Sequence, residues 1–170
     1  FWIQKPAPGE RHLMLYALLD GPSLSGVFKF RVEPGRTTVI DVECTLFPRK
    51  PLEHVGIAPL TSMYYYGYAD PTRPDDYRPN VHNSDGLLIW GGNGEWIWRP
   101  LVNPERLQYT AFADQAPKGF GLMQRDRNFN AYQDIDANFG SRPGVWIEPQ
   151  GNWGEGTIDL IELLKPAAGR

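Results

Sequence analysis

Glycine and proline punctuate this chain so densely, 18 and 16 times in 170 residues, that long helices have little room to form. Between the breaks lie short runs that alternate apolar with polar residues or cluster apolar ones, the pattern of strands. His12–Leu19 is an apolar run that stops at Asp20-Gly-Pro. Gly26–Val32 carries Val27, Phe28, Phe30 and Val32, and Thr37–Leu46 alternates again through Val39 and Val42. The Glu33-Pro-Gly-Arg36 link predicts a hairpin with a type II turn, since proline presets φ and glycine accepts the positive φ that follows.

Ser62–Tyr68 predicts a fourth strand. Gly86–Trp90 and Glu95–Arg99 flank Gly91-Gly-Asn-Gly94 as a second hairpin. Leu107–Phe112, Phe120–Arg125, Val145–Pro149 and Thr157–Leu164 bring the expectation to roughly nine or ten strands. Only Asn130–Asn138 has the makings of a short helix. The expected fold class is all-β, a sandwich or barrel of short strands, with no linker or internal repeat dividing the chain. Asp70–Asn80 is longer than a simple connector, which marks it as a candidate functional loop.

A formal net charge of -3 and a pI near 5.6 argue against nucleic acid or an anionic membrane as partner. No apolar run approaches the roughly 20 residues that cross a bilayer as a helix, so no membrane insertion is expected. Cys44 is alone, which excludes an internal disulfide and leaves the redox compartment open. His12, His54 and His82 are not spaced as a ligand cluster. Gly-x-Ser-x-Gly, P-loop and Rossmann signatures are missing from the sequence, so neither a metal nor a cofactor is expected. The start at Phe1 reads as a trimmed or partial chain, from which any targeting segment would have been lost.

Three stretches carry candidate chemistry. Trp96-Ile-Trp98 places both indoles on one face of a strand, with Glu95, Ile97 and Arg99 on the other. Such a face suits the C–H faces of sugar rings; the competing reading turns the indoles into the core. His82-Asn-Ser-Asp85 gathers polar, proton-capable residues at a loop–strand junction, although Asn-Ser-Asp-Gly is equally a way to reverse a chain. Gln124-Arg-Asp-Arg127 and Tyr132-Gln-Asp-Ile-Asp136 offer carboxylates for acid–base work or for orienting hydroxyls; the competing reading is a surface Arg–Asp network of little energetic weight.

Ala58-Pro-Leu-Thr-Ser-Met63, Tyr77-Arg-Pro79, His82–Gly86, Gly92–Pro100, Gly119–Arg125 and Trp146–Gly154 occur together and in this order. With Phe1-Trp-Ile3 they make the chain, to about Leu164, resemble the periplasmic glucans biosynthesis proteins G and D. The resemblance implies a cofactor-free periplasmic protein acting on osmoregulated glucans with a β-1,2-linked glucose backbone. It implies a large antiparallel β-sandwich similar to the galactose mutarotase supersandwich. Residues 1–170 would form its C-terminal half, without the immunoglobulin-like domain that follows in the family. A functional link to an inner-membrane glucan synthase and homodimer formation belong to the same expectation. A lone half-sandwich would expose a face and edge strands, so the isolated chain is expected to associate and to be inactive.

The family's members resemble inverting endo-glucanases, and some relatives transglycosylate; a non-catalytic glucan binder that guides synthesis or branching is the alternative. A mutarotase-like enzyme on free sugars would share only the fold. Carried over residue by residue, the base-side aspartate of the family falls at Asn83. An amide cannot accept the proton, which leaves Asp85 to take or support that role; in an extended chain the two share a face. The family's general acid falls just beyond Leu164, where this chain has Lys165-Pro-Ala-Ala-Gly-Arg170. Trp96 and Trp98 are expected to stack on sugar, and Arg99, Arg125 and Arg127 to hydrogen-bond its hydroxyls. His82, Tyr66 and Tyr132 complete the expected substrate contacts.

Overall fold

The computed structural model describes residues 1–71 and 75–164. The chain divides into two compact units, Phe1–Ile57 and Ala58–Arg170. Both are built from antiparallel strands, so the chain is all-β.

The first unit is a meander of β1 (Trp2–Ile3), β2 (Leu13–Asp20), β3 (Leu24–Glu33) and β4 (Val39–Pro48), hydrogen-bonded in chain order. Alternation sorts its side chains onto two faces. Leu15, Phe30 and Val42 stand opposite one another on one face. The other carries the cross-strand ion pair Lys29–Glu43 at 3.1 Å and the Arg31–Asp41 contact at 3.6 Å. The expected hairpin joins β3 to β4 with Glu33 paired to Val39. Its turn differs from the expectation, because Gly35 does not take a positive φ. Five residues separate the paired ends, and the strain of a tight type II turn is not needed. No side chain of this unit is buried.

The second unit contains β5 (Tyr64–Tyr66), β6 (Val81–His82), β7 (Gly86–Trp90), β8 (Trp96–Pro100), β9 (Gln108–Gln115), β10 (Gly119–Met123), β11 (Val145–Ile147) and β12 (Glu155–Glu162). One sheet has the order β11-β10-β7-β8, another pairs β12 with β9, and β5 pairs with β6. The core lies between the first two sheets. Leu87 and Ile89 of β7, Phe120 of β10, Leu101, and Ile158 and Leu160 of β12 form one buried cluster. Tyr66, Val81, Ala131, Tyr132 and Phe139 form a second.

At the margin of the sandwich core, Arg99 of β8 reaches Glu162 of β12 at 2.7 Å. The Glu162 side chain is only 3% exposed and also accepts the Val102 amide at 2.9 Å. This pair ties the two layers together.

The Ser62–Tyr68 strand shrinks to Tyr64–Tyr66, which pairs with β6 through an irregular register. Two-residue β1 and β6 are too short to carry a periodic signal. The expected Asn130–Asn138 helix shortens to α1, Phe129–Tyr132, and its ending has a local cause. Gln133 turns left-handed at φ 53°. The Asp134 carboxylate then accepts the amides of Asp136 and Ala137 at 2.9 and 2.8 Å, so a side chain takes the donors that helical carbonyls would have used.

On the outer face of the four-stranded sheet, glycines make room for indoles. A Cβ on Gly86 would sit 2.5 Å from the Trp98 ring, and one on Gly119 would overlap the Trp146 ring. At Gly121 the obstacle is the Val145 carbonyl oxygen, which is backbone and cannot swing aside. Gly121→Ala should therefore destabilise the second unit by about 2 kcal/mol or more. Gly156→Ala on β12, where a Cβ meets nothing within 4 Å, should be neutral or stabilise by a few tenths of a kcal/mol through the unfolded chain, about the scale known for such changes. Denaturant unfolding of both variants checks the contrast, and equal effects would refute the steric account.

Candidate functional site

The site is assembled from the β6–β7 junction and the excursion that follows β10. His82 ends β6, the chain bends at Asn83 and again at Asp85, and Gly86 starts β7. Backbone bonds pin the junction on two sides. The Asn83 amide donates to Met63 O at 2.8 Å, the Asp85 amide to Met123 O at 2.8 Å, and Asp85 O accepts from Leu101 at 2.8 Å. Because the chain bends rather than running extended, Asn83 and Asp85 take different partners.

Asn83 Oδ1 accepts from Arg142 Nη1 at 2.5 Å. The Arg142 guanidinium lies over the Phe139 ring, 4.7 Å from its centroid, and its Nε donates to Ala137 O at 3.1 Å. Asp85 Oδ2 accepts the Arg125 amide at 2.6 Å, and Oδ1 lies 3.3 Å from His82 Nε2. The Asp85 side chain keeps 14% of its surface. It is anchored and still open to a ligand.

The excursion from Gln124 to Arg142 delivers both arginines, and its own bonds keep it closed. Gln124 donates to Phe139 O at 2.6 Å, Arg127 donates to the carbonyls of Gly140 and Arg142 at 2.9 and 3.1 Å, and Tyr132 Oη donates to Asp126 O at 3.1 Å. Asn80 Nδ2 reaches Ala131 O at 2.6 Å. Arg78 grips Asp76 and Asp134 at 2.7 and 2.6 Å. Asp134, one of the carboxylates that the Tyr132–Asp136 stretch offered for acid–base work, is thus a structural anchor. The Ala137 amide, joined by Arg78, holds its carboxyl below the ordinary carboxylate range.

The aromatic residues fall into two groups. Tyr66 and Tyr132 are 0% and 2% exposed, so they support the site from beneath and present no open ring face. Burial pushes the Tyr66 hydroxyl up to about 12 and raises that of Tyr132 as well. The indoles stand on the opposite side of their sheet from the aliphatic core. Register places Trp90 opposite Trp96 and Leu88 opposite Trp98. The Trp90 and Trp96 rings stack at 5.1 Å and 6°, and Trp96 and Trp146 at 5.8 Å and 21°. Lys118 Nζ lies 5.2 Å from the Trp90 centroid. Trp96 remains 57% exposed, and Trp98 covers Gly86, the residue next to Asp85.

Each arginine expected at the substrate meets a different environment. Arg99 points to the core side and is committed to Glu162. Arg127 is committed to backbone carbonyls, whereas Arg125 is exposed. Arg142, Tyr64, Trp90 and Trp146 escaped sequence reasoning. Trp90 was within reach, because the Gly91–Glu95 turn sets it across from Trp96; Arg142 and Trp146 depend on long-range pairing. The expected general-acid segment, residues 165–170, lies outside the described residues, as do Thr72–Pro74 of the proline-rich loop. Among the described residues no group of His, Cys, Asp and Glu could hold a metal, and no helix is long and apolar enough to cross a membrane.

Two outcomes follow from these contacts. Asn83→Asp should place a carboxylate against Arg142 and stabilise the second unit by about 0.5–1 kcal/mol at low salt, fading as salt screens the pair; an unchanged unfolding midpoint at low salt would refute the contact. Asp134 has a depressed folded pKa, so its contribution is complete above its unfolded value, about 3.9, and is lost as pH falls through the folded one. Stability should decline below about pH 4. Asp134→Asn should remove part of that decline, as acid denaturation curves would show.

Residues 1–168 match the family model described as "Periplasmic glucan biosynthesis protein, MdoG". The chain is 53% identical over 163 residues to glucans biosynthesis protein G of Rhodopseudomonas palustris, covering 96% of this chain and 32% of that protein. It is 52% identical over 176 residues to glucans biosynthesis protein D 1 of Ralstonia nicotianae, covering 96% and 33%. A probable glucans biosynthesis protein D of Shewanella oneidensis is 50% identical over 163 residues, covering 96% and 30%. The chain spans about a third of the length of these relatives. On the extent and identity of these matches, the chain belongs to the MdoG family of periplasmic glucan biosynthesis proteins.

Proposed function

We propose that this chain is the C-terminal half of a glucan-processing β-sandwich of the galactose mutarotase-like kind, working in the periplasm on the β-1,2-linked backbone of osmoregulated glucans. The reaction is an inverting endo-cleavage or a transglycosylation. Asp85 is the proton acceptor. The observation that carries this reading is its carboxylate, anchored by the Arg125 amide, partly open to solvent, and beside the glycine that Trp98 covers.

A glucan lying along the outer sheet face would meet Trp98 next to Asp85 and the Trp96 stack farther on. Gly86 and Trp90, at the two ends of β7, are about 13 Å apart at the rise of a β-strand, a span that accommodates more than one sugar ring. Inversion requires a second carboxyl group as acid on the opposite side of the scissile bond. The resemblance puts it just past the position of Leu164, where this chain has Lys165-Pro-Ala-Ala-Gly-Arg170 and no acidic side chain, so the acid is assigned outside this chain. A periplasmic glucan pathway also implies a link to an inner-membrane synthase and admits a homodimer.

The second reading is a binder that guides synthesis or branching without cleavage. Asn83 favours it: an amide held by Arg142 cannot act as a base, and it stands where the resemblance expects an aspartate. Incubating a full-length polypeptide carrying this chain with linear β-1,2-glucan distinguishes the two. Shorter oligosaccharides support the enzyme, and tight binding without products supports the binder. Asp85→Asn should abolish cleavage while leaving glucan affinity within about threefold, and unchanged turnover would remove Asp85 from the mechanism. Trp98→Ala should weaken glucan binding by about tenfold, roughly 1.4 kcal/mol.

A further inference from the structure

His82 is buried more completely than anything else at the junction, at 1% exposure, and it cannot touch a substrate in this arrangement. Its ring is clamped on two sides. Tyr64 stacks on it at 5.2 Å and 8°, and Tyr132 meets it edge-on at 5.2 Å and 73°. Gly67 closes a third side, where a Cβ would lie 2.9 Å from His82 Cδ2. Neither ring nitrogen makes a hydrogen bond to the described residues, a state that costs about 1–3 kcal/mol for each buried polar group left unpaired. An apolar ring would fill this space without that cost. Nε2 nevertheless lies 3.3 Å from Asp85 Oδ1, within reach of a bond that tightens when a ligand closes a site.

We propose that His82 is a positioning residue for Asp85: a neutral imidazole whose Nε2–H turns to Oδ1 while the Arg125 amide holds Oδ2, so that the remaining lone pairs of the carboxylate face the reacting water or hydroxyl. The proposal rests on the reading of Asp85 as proton acceptor. The burial of the imidazole favours its neutral form. Burial lowers its pKa, against the opposing pull of Asp85. The tyrosines on either side stay protonated at neutral pH, Tyr64 with its hydroxyl pushed up to about 12 by burial and Tyr132 raised likewise. Asp85 is then the charged group that the ring meets, and a clamped ring offers it a donor of fixed direction.

Nitrogen-15 NMR of the full-length polypeptide reads the proton directly. Near pH 7 His82 should show a protonated Nε2 and a bare Nδ1, and Asp85→Asn should shift the Nε2 resonance. The opposite tautomer, an imidazolium, or indifference to Asp85→Asn would overturn the proposal, whether or not the protein cleaves glucan. Kinetics on linear β-1,2-glucan supply a second arm. His82→Phe keeps the aromatic clamp and removes both nitrogens; it should lower kcat by about tenfold to a hundredfold with KM within twofold, by analogy with the loss on removing the hydrogen-bond partner of a metal-ligating residue. His82→Gln restores an N–H donor and should recover part of the loss. Wild-type turnover in His82→Phe, with Asp85→Asn inactive, would sink the role of His82 and leave that of Asp85 intact. Equal losses in both His82 variants, matched by equal drops in thermal midpoint, would reduce His82 to packing. Turnover in Asp85→Asn would instead refute the function assigned to Asp85 itself.

Discussion

The second unit depends on the two-sidedness of β7. Leu87 and Ile89 enter the core between the sheets, while Gly86, Leu88 and Trp90 face outward with Trp98 and Trp96. A shift of one residue in register would exchange these sets, burying indoles where aliphatic side chains now interlock. Core packing therefore fixes more than stability. It also places Asp85 at the start of β7, where Met123 O and the Leu101 amide hold its backbone. The neighbouring strand β10 repeats the division, with Phe120 inward and Gly119 and Gly121 outward beneath Trp146. Small residues on one face make the tryptophan surface possible. Aliphatic residues on the other make it rigid.

The strands with a clean period were legible from the sequence. Gly86–Trp90 appears with those bounds, and the long strands shift by only a few residues. Glu162 shows why a pattern sometimes hides a contact. Its place in the inward series Ile158, Leu160, Glu162 looks like an error for a core strand until Arg99 comes across from β8 to meet it. The shortened helix failed for a different reason. Asp134 competes for backbone amides through its side chain, an interaction that helical periodicity does not register. In the site, the alternation of Trp96 and Trp98 could be read from two residues, but which way they face required the partner strand. Arg142 was invisible because 59 residues separate it from Asn83, and nothing local to either announces the pairing.

The excursion between β10 and β11 illustrates how a loop becomes part of a site. Its backbone cannot use a sheet ladder, so its carbonyls are met by side chains: Gln124 at Phe139, Arg127 at Gly140 and Arg142, Asn80 at Ala131. Each such bond contributes only about 0.5–1.5 kcal/mol net. Together they leave the segment few ways to move without exposing a polar group, and the Tyr132–Phe139 packing seals the interior. The Arg125 amide and the Arg142 guanidinium are consequently presented from a fixed frame, which is what a carboxylate needs if it is to accept a proton in one direction.

Asn83 and Asp85, two residues apart, occupy opposite electrostatic settings. Position 83 faces a guanidinium whose other partners among the described residues are neutral, the Ala137 carbonyl and the Phe139 ring. A carboxylate there would be held in its charged form by Arg142, a good acceptor of hydrogen bonds and a reluctant acceptor of protons. Position 85 faces an imidazole kept neutral by burial and a backbone amide, and these orient a carboxylate without placing a full positive charge against it. Environments that differ in this way divide roles between neighbouring groups. With an amide at 83, the positive charge of Arg142 is not neutralised by this neighbour, and the carboxylate of the two positions is Asp85, anchored by the Arg125 amide and partly open.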